Sequence, residues 1–302
     1  MFNSTHTLVG LALARGGLDR WSRHAGWTAV IASNLPDIDI VAGLYDMPAY
    51  IEYHRGITHS FVGIPVLSIA LAAAMFRFTG NWIRTFVIAL LSMSAHLFLD
   101  YLNTYGVRPF LPFDGAWFYG DALFVIDPVF DAVLVAALLA GHFLRGRRRQ
   151  LALIGLTVVA LYVGLRLELR SLSRSHLAGF QKAGVSPTAF NPFQWIGLID
   201  NPTDVSVVTI TPFRGIVDTP QPFPKAPADE IVARAAESRS GRAFHGFARF
   251  PVTNVQSRNS RFYVTFFDVR FFRGGRAFSA RIELDPSGRI LDESLGFSLS
   301  LD

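Results

Sequence analysis

The sequence predicts an α-helical membrane bundle of about six helical segments, four of them long, followed by a small extramembrane α+β domain with an antiparallel sheet. Three observations carry that prediction. The apolar fraction is 51% and the mean hydropathy +0.33, too apolar for an ordinary soluble chain of 302 residues. The long apolar runs all fall within residues 1–170, whereas residues 200–302 alternate apolar and polar positions between turn signals. A stretch containing Ser, Gly and Pro, residues 171–199, separates the two and reads as a linker. This composition excludes a disordered chain. With no cysteine there is no disulfide framework, thiolate metal site or cysteine nucleophile, so any metal falls to His, Asp or Glu.

The first two apolar pieces, 7–14 and 25–35, are short and end in polar residues; they form a helical hairpin that spans only as part of a bundle. No basic region precedes the first, which argues against a cleaved signal peptide. The next four, 61–78, 82–102, 128–144 and 151–167, reach roughly 25 to 30 Å at ~1.5 Å per residue, close to the hydrocarbon thickness of a bilayer. In the C-terminal part, β-branched and aromatic enrichment predicts strands at 205–211, 244–255, 262–272, 277–284 and 290–293. Turns fall at Gly274-Gly275 and Asp285-Pro286-Ser287-Gly288, and one helix at 228–237.

Charge orients the bundle. Arg15, Arg20, Arg23, Arg77, Arg84, Arg145, Arg147, Arg148 and Arg149 fall in alternate turns and so on one side, while Arg55, Arg108, Arg166 and Arg170 fall on the other. The positive-inside rule makes the nine-arginine side cytoplasmic. An inner (plasma) membrane protein follows, with both termini and the C-terminal domain on the periplasmic or extracellular side. The net charge of +5 is thus a topology signal, and the Arg145 to Arg149 turn faces anionic lipid; no nucleic-acid partner is expected.

The chemistry gathers at the outer end. His96 and Asp100 are four apart near the end of a long apolar segment, so a helix projects them from one face, where each is costly unless paired or facing a polar cavity. Upstream, Leu35-Pro36-Asp37-Ile38-Asp39 ends the hairpin with two carboxylates past a proline, which would equally serve as a helix stop with solvated acids. His54-Arg55-Gly56-Ile57-Thr58-His59-Ser60 supplies two imidazoles and an anion-binding guanidinium at a membrane interface. Tyr101 to Gly106 and Trp117 to Asp121 form an aromatic loop of interfacial character, and Asp127 before Pro128 fits a helix N-cap at least as well as a catalytic role. His6, Asp37, Asp39, His54, His59, His96, Asp100, Asp121, Asp127 and Asp131 all map to this one end. His24, His142, His176 and His245 fall outside it. His and carboxylate donors without thiolate suit zinc, manganese or iron.

These residues resemble a family. Ser4-Thr5-His6, the Leu-Pro-Asp-Ile-Asp at 35–39, the His-Arg-Gly-Ile-Thr-His-Ser at 54–60, the His-Leu-Phe-Leu-Asp at 96–100 with Asn103-Thr104-Tyr105-Gly106, and Tyr119 to Pro128 are similar in kind and order to the membrane-bound metal-dependent hydrolases of the YdjM type. The resemblance covers about residues 1–170. It extends distantly to zinc-dependent phospholipase C and the P1-type nucleases, helical enzymes with a His…Asp…His…His-x-x-x-Asp ligand order. It implies His6, Asp37 or Asp39, His59, His96 and Asp100 as ligands. Those soluble relatives add later His and Glu ligands; here only Asp121 and Asp127 follow, with His54 and Asp39 as further candidates, so one or two ions are expected, zinc first.

The expected activity is hydrolysis of a phosphoester, on a phospholipid or a lipid-linked phosphate, at the outer membrane–water interface. Asp37 or Asp39 is ligand or general base and Arg55 steadies the phosphoryl charge. Two other readings stand beside it. Intramembrane acids and histidines can form an ion or proton path, against which the cytoplasmic halves of the helices are apolar. Alternatively the β domain is a binding module and the bundle its anchor. No His-Glu-x-x-His, Gly-x-Ser-x-Gly or Walker loop occurs.

Overall fold

The computed structural model describes residues 1–22 and 24–300, the side chains of 298–300 excepted; Arg23, one of the basic turn residues, lies outside the described residues. In chain order the helices are α1 (Asn3–Gly16), α2 (Ala25–Ala32), α3 (Met47–Tyr53), α4 (Gly63–Thr79), α5 (Trp82–Tyr101), α6 (Pro128–Phe143) and α7 (Arg148–Ser175), with 3-10 turns at Leu18–Arg20, Leu35–Leu44, Ile57–His59 and Arg145–Arg147. Two compact units result. The first holds Met1–Asp39, Arg55–Ser171 and Pro187–Phe193; the second holds Ile40–His54, Leu172–Ser186 and Gln194–Asp302. Residues 40–54, which the sequence pattern keeps with the bundle, thus belong to the second unit.

The first unit is helical. Val9 and Ala12 of α1, Leu99 of α5, Phe130, Leu134 and Leu138 of α6, and Val159 and Val163 of α7 form one core cluster; Ile64 and Leu71 of α4 pack with Ala89, Met93 and Leu97 of α5 in another. Small residues let α1 and α2 approach closely: a Cβ on Gly10 would lie 2.4 Å from Ser33 Oγ and 2.9 Å from the Ala29 carbonyl oxygen. At one end the basic turns converge. Arg149 donates to the Gly16 carbonyl, Arg84 to that of Trp21 and Arg15 to that of Leu138, while Arg148 pairs with Asp19 at 3.9 Å. The last turn of α5 and the first turns of α1 and α6 lie at the opposite end.

Among the described residues two helices, Trp82–Tyr101 and Arg145–Ser175, are long and apolar enough to cross a membrane, and a third is reached if α4 is taken with the bent helical segment before it. The four long spans expected from composition are therefore two or three by length. α4 has 17 residues and α6 has 16, or about 24 to 26 Å of helix at 1.5 Å per residue. Local chemistry sets α6 short. Asp127 accepts from the Phe130 amide at 3.1 Å with Pro128 at the first position, and the helix stops before the arginine turn at 145–147.

The second unit contains β1 (Ala183–Pro187), β2 (Trp195–Asp200), β3 (Asp204–Thr211), β4 (Gly215–Ile216), β5 (Gln221–Pro224), α8 (Glu230–Ala236), α9 (Arg239–Phe247), β6 (Pro251–Arg258), β7 (Arg261–Arg273), β8 (Arg276–Leu284) and β9 (Ile290–Ser300). One sheet has the order β1-β2-β3-β4 with β5 also on β3; the other is the antiparallel meander β6-β7-β8-β9. Its register sets Val264 opposite Val255 and Ile282, and Phe266 opposite Thr253 and Ala280. The antiparallel α/β character matches expectation, but three details differ. Residues 171–199, expected as a linker, carry β1 and β2. The single strand expected over 244–255 divides into the end of α9 and most of β6. One expected helix becomes two, because Ser238 accepts from the Gly241 amide and caps a second one whose Gly241, Phe244 and Phe247 are buried at helical spacing. Within this unit α3 also belongs: Asp46 caps it and pairs with Arg239 of α9 at 2.9 Å.

Candidate metal centre

The centre is built on α5. The four-residue spacing puts His96 and Asp100 one above the other, on the face that also buries Ala89, Ser92 and Met93. His96 Nδ1 lies 2.7 Å from the Ser33 carbonyl oxygen at the end of α2. That contact assigns the proton to Nδ1 and leaves Nε2 with a lone pair facing inward. His59 enters from the 3-10 turn Ile57–His59, and its Nδ1 lies 3.1 Å from Asp39 Oδ2 and 3.0 Å from Thr58 Oγ1. Thr58 donates its own proton to Asp39 at 2.6 Å. The imidazole is thus held by a carboxylate in the manner of metal-ligating histidines, again with Nε2 turned inward. Asp37 comes from the first turn of Leu35–Leu44, beside buried Pro36.

Four atoms converge. His59 Nε2 and His96 Nε2 are 3.0 Å apart; Asp37 Oδ1 is 3.3 Å from the former and 3.7 Å from the latter; Asp100 Oδ2 is 3.4 Å and 3.3 Å from them. A tetrahedral ion with bonds of about 2.0 to 2.1 Å sets its ligand atoms about 3.3 to 3.4 Å apart. The five distances scatter about that spacing, all four residues are buried, and Asp100 Oδ2 makes no hydrogen bond among the described residues. Two lone pairs and two carboxylates facing one another are repulsive by themselves, so the residues fit a divalent cation, and the Asp/His cluster could hold one.

The other oxygen of Asp100 is anchored. Oδ1 accepts from Arg55 Nη2 at 2.9 Å, pairs with the Met1 amino group, and lies 3.3 Å from His6 Nε2. Arg55 has φ of 55° and its guanidinium is buried, donating also to Asn103 Oδ1 at 3.0 Å and the Gly106 carbonyl at 3.1 Å, over the Tyr105 ring. Gly106 itself needs φ of 86°, and a Cβ there would meet Tyr119 at 2.5 Å. Arg55 is therefore turned to the centre's own carboxylate. His6 stacks on His96 with ring centroids 3.7 Å apart, and neither of its nitrogens makes a hydrogen bond among the described residues.

The remaining candidates are placed differently. Asp39 faces His59 Nδ1. His54 lies in the second compact unit, at the end of α3 and stacked on Tyr50. Asp127 is the N-cap of α6 and also accepts from the Tyr162 hydroxyl at 3.2 Å, and Asp131 accepts from Thr5 at 2.7 Å. Asp121 is fully buried with φ of 46° in the aromatic loop. That loop is more than an interfacial belt: the amides of Gly120 and Ala122 bond the carbonyls of Tyr101 and Leu102, and Val107 pairs with Phe118. Asn103, Thr58 and the Ser33 carbonyl escaped the residue-by-residue reading. For Asn103 a signal was present in the Asn103-Thr104-Tyr105-Gly106 motif that follows the His-x-x-x-Asp pattern.

Comparison with known proteins places the two parts of the chain in separate families. A family model described as YdjM inner membrane protein matches residues 1–171, and one described as YfhP C-terminal alpha/beta plait domain matches residues 230–301. The chain is 25% identical over 299 residues to the uncharacterized protein YfhP of Bacillus subtilis (strain 168), over 90% of this chain and 87% of that protein. No solved structure matches.

Proposed function

Since the chain belongs to the YdjM inner membrane protein family, we propose that it is a membrane-bound metal-dependent hydrolase of a phosphoester, carried by a phospholipid or another lipid-linked phosphate. The observation that supports this reading most is the near-tetrahedral spacing of His59, His96, Asp37 and Asp100 with, among the described residues, no hydrogen bond on Asp100 Oδ2. These four would hold the ion, zinc by its donor set with manganese or iron as alternatives, with a water as fifth ligand, and His6 is the donor left for a second. When bound, the ion supplies a water of lowered pKa and a positive charge for a phosphoryl oxygen. The chain does the rest. Asp39 and the Ser33 carbonyl hold the two imidazoles in one tautomer. Arg55 grips Asp100 Oδ1 so that Oδ2 stays turned to the cluster. Asp37, bound through Oδ1, takes the proton of the attacking water on its other oxygen, Asp39 being engaged with His59.

The convergence of Arg15, Arg84, Arg148 and Arg149 at the end opposite the cluster supports a cytoplasmic basic end and a periplasmic site by the positive-inside rule. The test is metal content by inductively coupled plasma mass spectrometry of the detergent-purified chain, wild type beside His96→Ala. Near-stoichiometric zinc, manganese or iron that is lost in the variant is the expected result. A wild type that carries none and binds none on titration overturns the reading.

A further inference from the structure

α5 has a second face. Leu90, Ser94, Leu97, Phe98 and Tyr101 recur at helical spacing beside the ligand face and, with Ile64 and Pro65 of α4, wall a cavity of about 420 Å³. The aromatic loop roofs it: Val107, Pro109, Phe110 and Phe118 complete the lining with Phe61, whose ring meets Phe110 edge-on at 5.4 Å. Ser94, midway along α5, supplies the lining's aliphatic hydroxyl, and Tyr101 at the helix end its phenol. Three features identify an occupant. The cavity lies along a helix long and apolar enough to cross the membrane, and Val66, Ile69 and Phe98 continue it into exposed apolar surface, so hydrocarbon is the medium at its mouth. Its lining is next to the cluster in the chain, since Leu97 and Tyr101 follow His96 and Asp100 and Phe61 stands two residues past His59. Its lining carries no charge, which excludes a headgroup as the occupant.

We propose that this cavity is the acyl-chain site of the enzyme, taking one hydrocarbon tail of a membrane lipid while its phosphate lies at the cluster. The inference rests on the hydrolase reading for the phosphate but not for the tail. Its test reads binding alone. Full-length protein in proteoliposomes is irradiated with phosphatidylglycerol bearing a diazirine on one acyl chain, metal-loaded and metal-stripped, and labelled peptides are mapped by mass spectrometry. Label is expected on the segments containing Phe61, Ser94 to Tyr101 and Phe110 to Phe118, above that on the exposed α7 residue Leu161. Ser94→Phe, which fills the cavity from an exposed position, is expected to lower it about tenfold, and Leu161→Phe to leave it as in wild type. Label no denser there than at Leu161, or unchanged in Ser94→Phe, overturns the proposal. Groove labelling in a protein that binds no metal retires the hydrolase reading and keeps the acyl site; metal-dependent hydrolysis without groove labelling does the reverse.

Discussion

The molecule buries two ionic clusters, and they are built on opposite rules. On β7, Asp268 and Arg270 form a closed pair. Asp268 accepts from the amides of Arg249 at 2.8 Å and Arg270 at 3.0 Å, and its Oδ2 also takes Arg270 Nε at 2.9 Å; Arg270 Nη2 donates to the Phe247 carbonyl at 3.0 Å, between the rings of Phe247 and Phe271. One charge meets one opposite charge. On α5 and its neighbours, three carboxylates and three imidazoles meet one guanidinium and the Met1 amino group, with Nε2 facing Nε2 at 3.0 Å and both nitrogens of His6 without a hydrogen bond among the described residues. A protein retains such an arrangement at a buried site when something else supplies the positive charge. The first cluster is closed on itself; the second could hold a metal ion.

The largest expected effect breaks the second cluster alone. Asp100→Asn keeps the shape but removes a charged ligand, so bound metal and turnover should fall together. The amide oxygen still accepts from Arg55, so the stability lost should be less than about 3 to 5 kcal/mol, the loss for a fully broken buried pair. Phosphate release from a lipid phosphoester, beside the metal content of the same preparation, checks it, and wild-type hydrolysis by this variant would remove Asp100 from the site.

The converse change strikes the first cluster. Asp268→Ala leaves Arg270 buried without its counter-charge, a loss of about 3 to 5 kcal/mol. Denaturant unfolding followed in the β region should register it, while bound metal per folded chain stays as in wild type. Loss of metal with retained β structure would mean that the two clusters are coupled and the contrast between them is false.

A finer cut separates two carboxylates that the sequence left equivalent. Asp39→Asn removes the acceptor that holds the His59 proton on Nδ1, and a partner of this kind is worth about 10- to 100-fold in metal affinity. Competition with a calibrated chelator should show that drop, smaller than the near-complete loss in Asp37→Asn. Equal losses in both variants would make Asp39 a ligand in its own right.

That pair also shows how far the sequence could be read. His96 and Asp100 were legible because helical spacing fixes their relative direction, whatever surrounds them. Asp37 and Asp39 lie on a 3-10 turn after a proline, where two residues turn a side chain from one face to another, and only the position of His59 sorts them. His54 has the chemistry of a ligand, and residues 40–54 belong to the second unit, a partition that no local pattern announces. Family membership was legible in motif order over residues 1–171. The span count was not, because apolarity shows what a helix tolerates around it while caps decide how long it is. In the C-terminal part, aromatic enrichment reads alike in a strand and in a short helix packed on one. Phe244 and Phe247 were drawn into a strand for that reason, although they pack on Phe266 and Phe278 from α9.

The smallest effect tests that last point. α9 has nine residues, too few to hold itself, and depends on the Ser238 cap and on Phe244 and Phe247 against the meander. Ser238→Ala should lower the stability of the β region by about 1 kcal/mol, the usual worth of a helix N-cap, and Ser238→Asp should restore most of it. If residues 244–255 were one strand, Ser238 would sit in a loop and neither substitution would move the unfolding midpoint. Hydrogen exchange locates the change: faster exchange at the amides of Gly241 and Arg242, with β7 and β8 protected as before, identifies a frayed helix on an intact sheet.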